Sequence, residues 1–147
     1  MTHYKSAFST FNKWTMAIVY IIVIGTTIPV FFDDNLTSIY VVTGINLVVV
    51  LFLTWLILQT NYAIDSKLLY WKSGPFKGTI NIHSIKKIEF HKGIVVPVIW
   101  KPALSHVGLI ITYNNYDDIY ISPQNREEFV QKLTQINPNI NLINQPA

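Results

Sequence analysis

The chain contains no cysteine, and two long stretches of it contain no Asp, Glu, Lys, Arg or His. Without cysteine the protein forms no disulfide, no thiolate metal site and no cysteine nucleophile. Neither a glycine-rich phosphate loop nor an HExxH motif occurs, so two common signatures of nucleotide and zinc chemistry are missing. Charged residues make up only 13% of the 147 residues. The sequence therefore offers no recognisable catalytic signature.

The two uncharged stretches are residues 14–32 and 36–58, which are 19 and 23 residues long. About 20 apolar residues, at a rise of 1.5 Å each, cross the ~30 Å hydrocarbon core of a bilayer. Residues 1–60 are therefore predicted to hold an N-terminal segment and a two-helix transmembrane hairpin, with Asp33 and Asp34 at its turn. A cleaved signal peptide is disfavoured, because the first stretch lacks a small-residue cleavage site and a second stretch follows directly.

Basic residues flank this hairpin on both sides. Lys5 and Lys13 precede it, and residues 65–101 hold seven lysines against two acidic residues. Lys and Arg accumulate on the cytoplasmic side of membrane helices. We therefore expect a multi-pass membrane protein with both termini in the cytoplasm and the aspartate turn outside.

Two residues of the second stretch, Gly44 and Asn46, are candidates for a helix–helix contact. Small and hydrogen-bonding side chains favour close packing of membrane helices, and Gly25 and Thr26 of the first stretch are suited to the same contact. The alternatives for Asn46 are a transport path or a contact between copies in a homo-oligomer.

Residues 61–137 are predicted to form one domain, followed by a loose tail at 138–147. Short β-like runs bounded by turn residues cover 62–64, 68–72, 78–82, 85–90, 94–100, 107–113 and 119–121. Ser122 as N-cap and Pro123 as first residue then predict a helix, which Asn137-Pro138 ends. The expected fold is α+β and mainly β, with about seven antiparallel strands and one C-terminal capping helix.

A group of lysines after the second stretch is the candidate membrane-surface site. Basic residues near a bilayer are attracted to anionic lipid by about 1 kcal/mol each. The alternative is that these lysines form an ordinary solvated surface and serve only to mark the cytoplasmic side of the hairpin. The set holds no arginine, which disfavours nucleic acid as a partner. Its members are Lys67, Lys72, Lys77, Lys86, Lys87 and Lys92.

The apolar segment 95–104 offers a second candidate, a protein contact at Ile99 and Trp100, if it is exposed rather than part of the core. The histidines lack metal-ligand spacing, so we expect no metal and no cofactor. A catalytic reading would require four dispersed residues, His83, Glu89, His91 and Asp117, to meet in one cleft.

Several of these runs resemble bacterial pleckstrin-homology-like (PH-like) domains. The resemblance rests on Lys72-Ser73-Gly74-Pro75-Phe76, on the isoleucines at 80, 82, 85 and 88, on Ala103-Leu104-Ser105, on Ile119 to Pro123, and on Glu127-Glu128-Phe129 with Leu133. It implies a partly open seven-stranded barrel with a capping helix, in a small protein of the bacterial inner membrane. The eukaryotic phosphoinositide site is not carried over, because the turn after Lys72 holds only Lys77 and no arginine.

These observations favour a non-enzymatic, membrane-anchored interaction module that binds a protein partner or a lipid headgroup at the cytoplasmic surface. The alternatives are a bacteriocin-immunity or envelope-stress protein, and a subunit of a larger membrane complex.

Overall fold

A computed structural model describes residues 1–32 and 35–145, so the predicted turn at Asp33 and Asp34 lies outside the described residues. The described residues form three α-helices and eight strands, with six of the strands in succession between the second and third α-helices. The helices are α1 (Thr10–Gly25), α2 (Leu36–Leu58) and α3 (Arg126–Ile136), with short 3-10 helices at Pro29–Phe32 and Ile82–Ser84. The strands are β1 (Thr2–Lys5), β2 (Asn61–Ile64), β3 (Leu68–Ser73), β4 (Phe76–Asn81), β5 (Ile85–Lys92), β6 (Val107–Tyr113), β7 (Asp117–Ile121) and β8 (Asn141–Ile143).

Most of the exposed large apolar side chains lie in the N-terminal helical region, within residues 10–58. Residues Thr10–Phe32 and Leu36–Leu58 are each long and apolar enough to cross a membrane. The first helix begins at Thr10, four residues before the predicted span, because the Ser9 side chain accepts a hydrogen bond from the backbone N–H of Asn12 at 3.2 Å. No residue of α1 or α2 is buried. Fully exposed apolar helices are expected where lipid is the solvent.

The strands form two four-stranded sheets, and the described residues form no closed barrel. The first sheet has the order β1-β2-β3-β4, and the second has the order β7-β6-β5-β8. Strand β8 runs parallel to β5. The expectation of about seven antiparallel strands in a partly open barrel is therefore confirmed in part: the two sheets are consistent with a PH-like fold and do not close, but the strands number eight and β8 is parallel to its neighbour. The two missed strands are short pieces that lie outside the predicted domain, one before the hairpin and one in the predicted tail.

Strand β1 places both ends of the helical hairpin in one sheet. It pairs with β2, with Tyr4 opposite Tyr62, so the chain leaves the first sheet into α1 and returns to it after α2. The residues that follow β1 also connect the two sheets, because the backbone N–H of Ala7 donates to the carbonyl of Ser122, just after β7, at 2.5 Å. The N-terminus and the folded domain consequently lie at the same end of the hairpin.

The run 94–100, predicted as a strand, has no regular structure. It lies across the outer face of the second sheet, where Val96 and Val98 pack on Ile110 and Tyr120. Pro97 interrupts the run, and proline cannot donate to a strand ladder. The run touches β7 only at one isolated bridge, between Trp100 and Ile119. It serves as a cover for the sheet rather than as a member of it.

Helix α3 closes the core between the sheets. It begins at Arg126, not at Pro123, because the predicted cap, Ser122, is fully buried and its hydroxyl oxygen accepts the N–H of Leu104 at 3.1 Å instead of capping the helix. Phe129, which is also fully buried, packs edge-on against Tyr4 with ring centroids 5.0 Å apart. The predicted end of the helix is confirmed, since α3 stops at Ile136.

The Tyr62 hydroxyl joins three segments of the chain inside this core. It donates to the carbonyl of Pro102 at 2.5 Å, lies 3.2 Å from the Ser6 hydroxyl and accepts the N–H of Ser122. Burial raises the pKa of Tyr62, so the hydroxyl remains neutral and able to donate.

We expect Tyr62→Phe to lower the free energy of unfolding of the domain by about 1–3 kcal/mol, because a buried donor and a buried acceptor lose their partner. Tyr116→Phe is the matched control, since Tyr116 is 94% exposed. Thermal unfolding of both variants in neutral detergent measures the difference. Equal melting temperatures would show that the hydrogen-bonded cluster does not stabilise the fold.

Candidate membrane-surface site

The folded domain rests directly on the helical hairpin. Gly74, in the β3–β4 turn, lies so close to α2 that a Cβ at this position would be 2.7 Å from the Leu56 side chain. A second contact joins the start of α1 to the second sheet: the Ser9 hydroxyl lies 3.1 Å from Nδ1 of His106, the residue just before β6. We call this part of the domain the hairpin end and the opposite part, near the β6–β7 turn, the far end.

The strand directions divide the six candidate lysines into two groups. Lys72, Lys77 and Lys92 lie at the hairpin end of β3, β4 and β5, whereas Lys67, Lys86 and Lys87 lie at the far end. The six residues of β3 span about 17–20 Å at the usual strand rise. That is about twice the ~8 Å Debye length at physiological ionic strength. The two groups therefore experience different electrostatic surroundings.

One further lysine joins the group at the hairpin end, and sequence reasoning missed it. Across the first sheet, Lys5 pairs with Asn61, Asn61 with Lys72, and Lys72 with Lys77. We call these four residues the lysine row. Adjacent strands lie about 4.8 Å apart, so the row is about 14 Å long. All four side chains project from the outer face of the sheet, because directly paired residues share a face and the adjacent Tyr4 and Tyr62 are buried on the other face.

The lysine row is not neutralised within the described chain. Among residues 1–32 and 35–145 the only ion pair joins Lys87 to Glu89, at 3.5 Å. Lys72 and Lys77 stand directly opposite each other in the β3–β4 ladder. Like charges at directly opposed positions destabilise a sheet. An anion bound between them would remove this repulsion.

Two cavities adjoin the lysine row. The first, about 590 Å³, lies over the outer face of the first sheet and includes His3, Tyr70 and Thr79 in its lining. The second, about 730 Å³, which we call the junction cleft, lies between the sheet and the end of α2. Its lining combines polar groups of β1–β3 with apolar groups near the ends of the two apolar helices: Lys5, Asn61 and Lys72 with Phe8, Ile57 and Leu58. Both cavities share His3, Asn61 and Lys72.

The candidate protein contact, Ile99 and Trp100, faces outward. Ile99 is 93% exposed. Trp100 is half-exposed and lies against Trp71 and Phe76, with ring centroids 6.1 and 6.4 Å away. The segment that holds them thus contributes to the core at Val96 and Val98 and to the surface at Ile99 and Trp100.

The two candidate helix-contact residues differ in their surroundings. The Asn46 side-chain amide donates to the Thr26 hydroxyl at 2.9 Å, which links α2 to the end of α1. A Cβ at Gly44 would meet no atom within 4 Å, so Gly44 makes no close contact with α1. A second link between the helices, from the Tyr20 hydroxyl to the Thr54 hydroxyl at 3.0 Å, has no clear sequence signal. A contact between copies stays a prediction.

The structure does not bring the four dispersed polar residues into one cleft. His83 and Asp117 line a shallow pocket at the far end, whereas His91 lies near the hairpin end and Glu89 pairs with Lys87. The described residues include no group of three His, Asp or Glu that could hold a metal ion. The lysine row and the junction cleft are therefore the arrangement with the clearest chemistry, which is anion binding next to an apolar wall.

Two sheets closed by a C-terminal helix define a small PH-like domain, which follows two helices long and apolar enough to cross a membrane. Residues 60–137 match the family model described as Bacterial PH domain, and this is more than half of the 147 residues. The chain belongs to this family, as the sequence resemblance indicated. No curated protein and no solved structure gave a match. Strands β1 and β8 lie outside the matched residues.

Proposed function

We propose that this protein is a non-catalytic, multi-pass protein of the bacterial cell membrane whose PH-like domain binds the headgroup of an anionic phospholipid in the cytoplasmic leaflet. The observation that carries the proposal is the lysine row, whose three lysines lie beside the end of the hairpin and form no ion pair with any residue that the structure describes. The hairpin fixes the domain against the bilayer, and the row would then lie at headgroup level.

The charge of the lysine row supports an anionic ligand. Lys72 and Lys77 repel each other across one ladder position, and Lys5 adds a third charge two strands away. Lysine side chains also carry long apolar stems, which suit the boundary between headgroups and hydrocarbon. Three lysines near the surface contribute about 3 kcal/mol of attraction to an anionic leaflet.

The shape of the junction cleft supports a lipid rather than a free phosphate ester. One wall carries the cations, and the other carries Ile57 and Leu58 from the last turn of α2. Along the membrane normal, a phospholipid places its phosphate and then its acyl chains, which is the same order as the cationic wall and the apolar wall of the cleft. A soluble phosphate ester offers only the first of these two contacts.

The cytoplasmic assignment follows from charge and from the pairing of β1 with β2. Both flanks of the hairpin are basic, which favours the cytoplasm for both. Because the flanks pair in one sheet, they cannot lie on opposite sides of the bilayer.

Lipid retention by the full chain tests the proposal. The protein, purified in neutral detergent, is mixed with equal amounts of phosphatidylglycerol and phosphatidylcholine, and bound lipid is counted by native mass spectrometry. We expect an excess of phosphatidylglycerol, which disappears near 1 M salt because the Debye length there is about 3 Å. Glycerol phosphate should compete only weakly, since it lacks acyl chains. Equal retention of the two lipids would overturn the proposal, and full competition by glycerol phosphate would reassign the site to a soluble anion.

A further inference from the structure

A second cleft lies at the far end of the domain, away from the lysine row. Its volume is about 360 Å³, and it lies between residues 97–100, in the segment that covers the second sheet, and the β6–β7 turn. Tyr113 lies at one edge of this cleft. It is six residues along β6 from Val107, which is at the hairpin end, so the cleft is about 20 Å from the hairpin end at the usual strand rise. The lining is Pro97, Val98, Ile99, Trp100, Tyr113, Tyr116, Asp117 and Asp118.

Uncovered apolar side chains form the rim of this far-end cleft. Ile99 is 93% exposed and Tyr116 is 94% exposed, while Trp100 is half-exposed between them and the hairpin end. The loop beneath is held in place, because Val98 is buried and the carbonyl of Trp100 accepts the N–H of Tyr120 at 2.9 Å. The apolar groups are thus presented on a supported backbone, and aromatic anchors of this kind are typical of binding surfaces.

Two carboxylates give the same cleft a negative charge. Asp118 accepts a hydrogen bond from the Thr112 hydroxyl at 2.5 Å, and Asp117 accepts one from the Asn114 amide at 2.8 Å. Neither has a cationic partner within 4.0 Å in the part of the chain that the structure describes. Burial, and then the charges of Asp117 and Asp118, raise the pKa of Tyr113. The cleft therefore offers two fixed, oriented acceptors beside apolar walls.

We infer that the far-end cleft binds a short segment of a partner protein that presents an apolar side chain next to a lysine or arginine. Charge complementarity selects the occupant, since the two carboxylates attract a cation and repel an anionic headgroup. The distance from the hairpin end also separates the cleft from the bilayer. A volume of 360 Å³ lies at the small end of binding pockets, so one or two side chains would fill it. The inference goes beyond the lipid site and does not depend on it.

Photocrosslinking of the full chain in its native cells tests this inference. A benzoylphenylalanine at position 99 replaces a side chain that is already exposed, and the same group at Gln135, on the exposed side of α3, is the control position. We expect an adduct with a protein segment containing Lys or Arg beside an apolar residue, formed at position 99 only.

Charge variants make the test specific to the far-end cleft. Asp117→Asn with Asp118→Asn keeps the side-chain shape and should lower the adduct yield about fivefold or more, as expected for the loss of two partly exposed charge pairs. Asp65→Asn with Glu127→Gln makes the same change in net charge elsewhere and should leave the yield unchanged. Adducts formed only with lipid or with a second copy of the chain, equal yields in both charge variants, or no adduct would each overturn the inference. None of these outcomes alters lipid retention at the opposite end, so the two proposals fail separately.

Discussion

Replacing Lys5, Lys72 and Lys77 with glutamine is expected to lower the affinity of the full chain for phosphatidylglycerol about 100-fold. Each lysine near an anionic surface contributes about 1 kcal/mol, and 1.4 kcal/mol corresponds to a factor of ten in affinity. The three positions are exposed, and none forms an ion pair in the part of the chain described, so the fold should persist. Titration of short-chain phosphatidylglycerol into detergent-solubilised protein, followed by native mass spectrometry, measures the change.

The far-end lysines supply a control of equal charge. Lys67→Gln, Lys86→Gln and Lys87→Gln together remove the same three charges at about 17–20 Å from the hairpin end, by the rise of the strands. We expect this variant to bind phosphatidylglycerol within about twofold of the natural chain, because screening leaves little interaction beyond two Debye lengths. A similar loss in both variants would mean that net charge, and not the lysine row, attracts the lipid.

Phe129→Ala is expected to destabilise the folded domain by about 3–5 kcal/mol, the usual cost of truncating a buried phenylalanine. Phe129 is fully buried, and its ring lies edge-on to Tyr4 at 5.0 Å and to Tyr62 at 6.3 Å. The side chain therefore joins α3 to β1 and β2, which flank the hairpin. Thermal and denaturant unfolding of the full chain in neutral detergent measure the effect.

Gln131→Ala is the control for this substitution, since Gln131 is exposed on the same helix and alanine is a good helix former. We expect its stability to stay within about 0.5 kcal/mol of the natural chain. If Phe129→Ala were as mild as this control, α3 would be a peripheral helix and not the element that closes the two sheets.

The apolar helices, the six strands β2–β7 and the C-terminal helix were predictable, because their signals are local. Residues 36–58 hold no charged side chain, and the structure has α2 over Leu36–Leu58. Strand β6 was recognisable as an apolar run, and Asn137-Pro138 as a helix stop. Each of these features needs only the residues within one element.

The features that were missed depend on contacts between distant parts of the chain. Strand β1 is four residues long and pairs with a strand that begins more than fifty residues later, so no periodicity reveals it. Lys5 entered the candidate site only through that pairing. Ser122 is of a residue type that often caps helices, yet its hydroxyl oxygen accepts the N–H of Leu104, and the helix starts later. Run 94–100 is apolar because it covers a sheet face, and a strand would show the same composition.

The orientation of the domain relative to the membrane tests the central claim most directly. The chain has no cysteine, so single cysteines at Asn115, in the β6–β7 turn, and at Phe32, at the opposite end of the hairpin, report one side each. Cells are labelled with a membrane-impermeant maleimide before and after permeabilisation. We expect Phe32→Cys to be labelled in intact cells and Asn115→Cys only after permeabilisation. Labelling of Asn115→Cys in intact cells would place the domain outside the cell and contradict the proposed binding of cytoplasmic-leaflet lipid.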